Sequence, residues 1–172
     1  PSELTPNLQT PMITDNLPAL KVSTGGSSGI TNNRARMIDA NLNNYATLNL
    51  PVVLFGSENR WIQVKDTVAV DEGGFPAGSY AGVVIESRSL LDIGLTYTIS
   101  TYLGNSFKES KDVSSLLSSG LLSGQQQIGF LTTMPFDRIR LTFTSSLGIL
   151  SSIRVYYTIV QKFEAGPTPP CN

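Results

Sequence analysis

Asp39-Ala40-Asn41-Leu42-Asn43-Asn44-Tyr45-Ala46-Thr47, followed after an apolar run by Arg60-Trp61-Ile62-Gln63-Val64, is the stretch that decides the fold. Its first half crowds the side-chain oxygens of Asp39, Asn41, Asn43 and Asn44 into a few consecutive positions. Asn and Asp bond readily to nearby backbone and tolerate left-handed conformations, so the segment reads as a tightly wound, self-bonded loop. The same crowding also suits a hard cation such as calcium, which takes carboxylate, amide and carbonyl oxygens. The second half alternates, with Ile62 and Val64 on one face and Trp61, Gln63 and Lys65 on the other, as in a half-buried strand.

Working outward, the same period of two recurs. Leu95 to Leu103 puts its odd positions toward a core and hydroxyls on its even ones. Arg138 to Thr144 buries Ile139, Leu141 and Phe143, and Ser152 to Val160 buries Ile153, Val155, Tyr157 and Ile159. Further strands are predicted at 20–22, 47–50, 52–55, 80–86 and 125–132, and 106–109 pairs back on 95–103 as a hairpin. Residues 112–124, with paired leucines between serines, read equally as a short helix or a buried connector. Short strands, turn signals between them and no long amphipathic helix predict an all-β protein, an antiparallel β-sandwich. Residues 1–20, with Pro1, Pro6, Pro11 and Pro18, form an extended lead-in along an edge; 21–165 make the sandwich; 166–172, Gly166-Pro167-Thr168-Pro169-Pro170 and the last two residues, form a linker.

The composition narrows the function. Charged residues are 15% and the net charge is −1, with Lys and Arg scattered and never in a run, so nucleic acid and an anionic membrane surface are not indicated as partners. No stretch approaches the roughly 18 apolar residues of a membrane helix. Cys171 is the single cysteine, which excludes an internal disulfide. There is no histidine, so Ser-His-Asp and Cys-His catalysis and histidine-bound zinc are excluded. Nothing singles out a carboxylate pair for glycoside hydrolysis. The expectation is a non-enzyme. Abundant Ser, Thr, Asn and Gly suit an extracellular or cell-surface β-protein, and the start Pro1-Ser2-Glu3 suits a module excised from a longer exported chain with neighbouring domains.

The Asp39 loop and the Trp61 strand together resemble the galactose-binding-like jelly roll of the discoidin, or coagulation-factor-5/8, type. There an Asp-Gly-Asp/Asn-x-x-Thr-x-Trp loop precedes a Trp-Ile-Gln-Val strand. Asp39 and Asn41 match the two acidic or amide positions, and Asn44 stands at the Thr position; Ala40 replaces the Gly and Ala46 the later Trp. The chain is also similar, over most of residues 30–163, to jelly-roll modules of large secreted bacterial adhesin-like proteins, through the same loop and through Phe75-Pro76-Ala77-Gly78-Ser79-Tyr80-Ala81-Gly82. The resemblances imply a sandwich of jelly-roll type and a structural calcium held by Asp39, Asn41 and Asn44, with Glu164 past the last strand completing the shell.

They also imply a glycan-binding module that uses loops at one end of the sandwich. The residues proposed to meet the ligand are Tyr45, Trp61, Asp71, Glu72 and Tyr80. Trp61 offers a face for sugar stacking or packs at the sandwich edge. Tyr45, Tyr80, Tyr102 and Tyr156 would make a better platform if they met. Asp71-Glu72 before Gly73-Gly74 offers acceptors for sugar hydroxyls or is an ordinary solvated loop. Arg138, Arg140 and Arg154, if aligned on one outer face, would suit a carboxylate-bearing sugar or simply keep the sheet soluble. The alternative function is a structural spacer or protein-interaction module with no small ligand.

Overall fold

Ile139, Leu141 and Phe143 are buried while the residues between them are only partly covered, so the period of two becomes a strand with a core face and an outer face. A computed structural model describes residues 4–6, 10–69, 73–86, 94–112, 117–120, 124–146 and 150–165. In chain order the strands are β1 (Leu4–Pro6), β2 (Thr10–Pro11), β3 (Leu20–Gly26), β4 (Ile30–Asn32), β5 (Ala46–Leu50), β6 (Glu58–Asp66) and β7 (Tyr80–Glu86). They continue as β8 (Leu95–Leu103), β9 (Ser106–Asp112), β10 (Leu117–Gly120), β11 (Gln125–Leu131), β12 (Arg138–Ser145), β13 (Ser151–Gln161) and β14 (Phe163–Ala165). A 3-10 turn, Arg34–Met37, precedes the Asp39 loop.

Two sheets face each other. One has five strands in the order β3-β6-β12-β8-β9; the other runs β10-β11-β7-β13-β5-β4, with β2 also paired to β13. All the pairings are antiparallel. Between the sheets lies one apolar cluster that draws Ile62, Val64, Tyr97, Ile99, Ile139, Leu141 and Phe143 from the first and Leu48, Val83, Ile85, Ile128, Ile153 and Val155 from the second. Each such side chain, fully buried, contributes about 1.5–3 kcal/mol by leaving water. The fold is the antiparallel sandwich of jelly-roll type that the alternation predicts. A separate pairing, β1 with β14, sets the lead-in beside the end of the described chain.

Three local expectations are corrected. Residues 52–55 are not a strand: Pro51 supplies no amide hydrogen, β5 stops at Leu50 opposite Ser151, and Leu54 and Phe55 stand 79% and 95% exposed. Residues 117–120 are neither helix nor connector but β10, on the edge beside β11. Most consequential is β13. A bulge between Val155 and Tyr157 shifts its register, so Ile153 and Val155 face the core before it and Val160 after it. Ile159, expected in the core, instead joins Val84 and Tyr156 on the outer side, with Tyr157 packed against them. A bulge adds one residue and so inverts every face beyond it. The lead-in is stitched in more firmly than an extended approach, since β2 pairs with β13 and Met12 is fully buried.

Candidate functional site

The Asp39 loop is wound on itself. Asp39 Oδ1 accepts the Asn41 amide at 3.1 Å, Asp39 Oδ2 accepts Asn44 Nδ2 at 2.7 Å, and Asn41 Oδ1 accepts the Asn43 amide at 2.9 Å. Both oxygens of the loop's one carboxylate thus already face N–H groups. Asn44 Oδ1 is the buried oxygen left without a partner. A hard cation takes six to eight oxygens, and as arranged this loop does not fit one. Glu164 lies on β14 with its backbone opposite Thr5. Among the described residues no group of three or more Asp, Glu, Cys or His side chains is gathered to hold a metal.

The predicted ligand residues divide between the two outer faces. Tyr45 lies on the seven-stranded side, edge-on to Tyr156 with centroids 5.5 Å apart. β5 begins at Ala46, opposite Val155 near the middle of β13, and Tyr45 is the loop residue just before it. The Arg154 guanidinium stands 4.6 Å over the Tyr45 ring and pairs with Glu86 at 3.3 Å, and the Tyr156 hydroxyl donates to the same Glu86 oxygen at 2.6 Å. That hydroxyl bond, helped by Arg154, holds the Glu86 carboxyl below its ordinary range. Burial, then the carboxylate, pushes Tyr156 up.

Tyr80 is on the same face but only 8% exposed. Its ring lies over Gly82 and Gly129, where any Cβ would come within 2.4–2.6 Å of it. Burial pushes the phenol up. It presents little surface to a ligand. Asp71 and Glu72 lie outside the described residues.

Trp61 is on the opposite side of the molecule, on the outer face of the five-stranded sheet. Its indole lies against Gly25 of the neighbouring strand, where a Cβ would come within 2.4 Å of the ring. On it rests Arg140, whose guanidinium carbon is 3.9 Å from the indole centroid and 4.6 Å from that of Tyr102, so the cation is clamped between two rings. Gln63 Oε1 accepts from Arg140 Nε at 3.0 Å and Nη2 at 2.8 Å, fixing its rotation. Arg138 stands 5.6 Å from the Tyr102 ring and donates to the Gly104 carbonyl at 2.9 Å. Phe107, 57% exposed, meets Tyr102 edge-on at 5.7 Å. Trp61, Arg140, Tyr102 and Phe107 thus form a continuous row, held by four strands.

The four tyrosines do not meet as one platform, because Tyr102 belongs to this row. Arg138 and Arg140 share the face, and Arg154 is on the other sheet. Sequence reasoning missed Gln63 and Phe107 here, and Glu86 on the other face. Gln63 and Glu86 alternate with core residues in their own strands, and that alternation was their only signal; Phe107 lies on an edge strand with no buried residue to mark its face.

No protein-family model and no curated protein matches the chain. Solved structures similar to it include the mannan-recognising carbohydrate-binding module TmCBM27, at 10% identity and TM-score 0.46, covering 94% of this chain and 99% of that one. The CBM32-1 and CBM32-2 domains of Clostridium perfringens ZmpB, solved with GalNAc, are similar at 17% identity and TM-score 0.46, covering 94% and 40%. The enzymatically active domain of bacteriophage CBA120 tailspike protein 4 is similar at 13% identity and TM-score 0.39, covering 94% and 19%. At these scores the likeness carries no argument about a ligand.

Proposed function

We propose that the chain is a non-catalytic glycan-binding module of an exported, adhesin-like surface protein, and that it binds through the outer face of its five-stranded sheet. The observation that carries this is the clamped row Trp61-Arg140-Tyr102-Phe107. Aromatic surface suits the apolar C–H faces of a pyranose, and the flanking guanidinium, amide and hydroxyl groups suit its hydroxyls. Side chains mounted on paired strands hold such a surface more exactly than loops do. This moves the site from the loop end, where the sequence located it, to a sheet face. The low charge and hydroxyl-rich composition support export. No helix among the described residues is long and apolar enough to cross a membrane.

A glycan array with the purified domain tests the reading. A specific hit that Tyr102→Ala and Phe107→Ala remove, with the melting temperature of at least one variant kept, is the expected result. A blank array would favour the second reading, a protein-interaction module. That reading draws on Val52, Leu54 and Phe55, which leave an apolar tip exposed beyond β5.

A further inference from the structure

The glycan face carries a charge pattern that narrows its ligand, an inference resting on the function just proposed. The register sets Lys21 opposite Lys65, Lys65 opposite Arg138, Arg138 opposite Tyr102, and Tyr102 opposite Phe107. One cross-strand line over all five strands therefore reads Lys21-Lys65-Arg138-Tyr102-Phe107. The next line on the same face reads Ser23-Gln63-Arg140-Ser100-Ser110. Both point away from the core, because Val22, Val64, Ile139 and Leu141, which alternate with them, pack inward. With strands about 4.8 Å apart, each line is roughly 19 Å long.

Four cations, Lys21, Lys65, Arg138 and Arg140, thus share adjoining positions. Among the described residues none has an ion-pair partner, whereas Arg154 on the other sheet is paired with Glu86. The carboxylate that the pairing puts on this face is Asp112, one line further on at the edge strand, where it accepts from Thr98 Oγ1 at 2.7 Å. Like charges directly opposite across strands destabilise a sheet. Burial and the nearby Arg138 charge both push the Arg140 guanidinium below its ordinary range, against an opposing pull from Tyr102. In a chain of net charge −1 this concentration on one face stands out.

We propose that this face binds an acidic polysaccharide, a chain bearing uronate carboxylates, laid along the Lys21-Lys65-Arg138 line with sugar faces against Tyr102 and Phe107. The Arg138 fork matches a carboxylate and the two lysines act as point charges. A nucleic acid fits less well. It carries one charge per 3.4 Å of strand and draws its affinity from about six to ten phosphate contacts, more than this short line supplies.

The test is affinity electrophoresis of the domain through polygalacturonate, alginate, galactan and mannan, with a single-stranded DNA binding assay beside it. The expected result is retardation by an acidic polysaccharide that weakens about tenfold on raising salt from low to physiological, as charge contacts do. The Lys21→Gln, Lys65→Gln double variant should lose about tenfold in affinity with an unchanged melt, since among the described residues neither lysine has a side-chain hydrogen bond or an ion pair; Arg138→Gln should lose as much. Retardation by neutral galactan or mannan alone would overturn the acidic ligand and leave the glycan function standing. No retardation by any polysaccharide would overturn both. DNA bound as tightly as the acidic polysaccharides would overturn this proposal in favour of a general polyanion surface.

Discussion

The two outer faces of the sandwich solve the same problem in opposite ways. On the seven-stranded side, Val84, Tyr156 and Ile159 are buried under Tyr45 and Tyr157 in a second small core, and Arg154 there is neutralised by Glu86. On the five-stranded side the aromatics hold a cation between them, and none of the four cations is paired among the described residues. A face that spends its aromatics on its own packing and cancels its charge is built for stability. A face that keeps rings half open and charge unpaired is the one to which we assign the ligand.

Five measurements break or sharpen that contrast. The largest effect is expected from Gly129→Ala, whose Cβ would lie 2.3 Å from the Ala81 carbonyl and 2.6 Å from the Tyr80 ring. Because backbone cannot give way as a side chain can, overpacking there should cost about 3 kcal/mol in denaturant unfolding while the folded fraction keeps its ligand affinity. The mirror substitution, Gly25→Ala, meets the Trp61 ring instead of backbone and should disturb binding as well as stability.

Next is Tyr156→Phe, which removes the hydroxyl bond to Glu86 and should cost about 1 kcal/mol near neutral pH. The Glu86 pKa is depressed in the fold, so its contribution is present above the unfolded value and lost as pH falls through the folded one. Wild type and variant should therefore converge on acidification below the ordinary carboxylate range. A gap that stays constant with pH would remove Glu86 from the packing role given to that face.

Arg140→Met is expected to cost about 0.5–1 kcal/mol and to shift Trp61 fluorescence, because it takes a cation from between two rings and relieves repulsion with Arg138. A loss well above that would make the five-stranded face structural too. The smallest effect belongs to the Asp39 loop, where calcium and chelator should give the same melting temperature. A rise with calcium that Asp39→Ala abolishes would show that the loop opens to hold the ion.

Much of the fold was legible because strands β8 and β12 alternate cleanly, and the parity of Tyr97, Ile99, Ile139, Leu141 and Phe143 needs no partner to interpret. β13 was legible only to Val155. The bulge at Tyr156 leaves no mark in composition, so the faces of Ile159 and Val160 were exchanged in the reading. The site was less visible still. Lys21, Lys65 and Arg138 are far apart in sequence and became neighbours through register, which pairwise strand geometry sets and a single sequence does not spell out. The Asp39 turn was readable as either loop or ion site, since both need the same oxygens, and the calcium melt decides between them.

The pairing of β1 with β14 has a mechanical meaning. Leu4 stands opposite Ala165 and Pro6 opposite Phe163, so the chain comes in and goes out side by side. In any longer chain under tension, force would reach this ribbon first and act across its hydrogen bonds, parting them in turn like a zipper. The sandwich, with β13 locked between β7 and β5, would be loaded only after that extension was used up. The ribbon would let the chain lengthen under pull while the sandwich, and with it the five-stranded face, kept its shape.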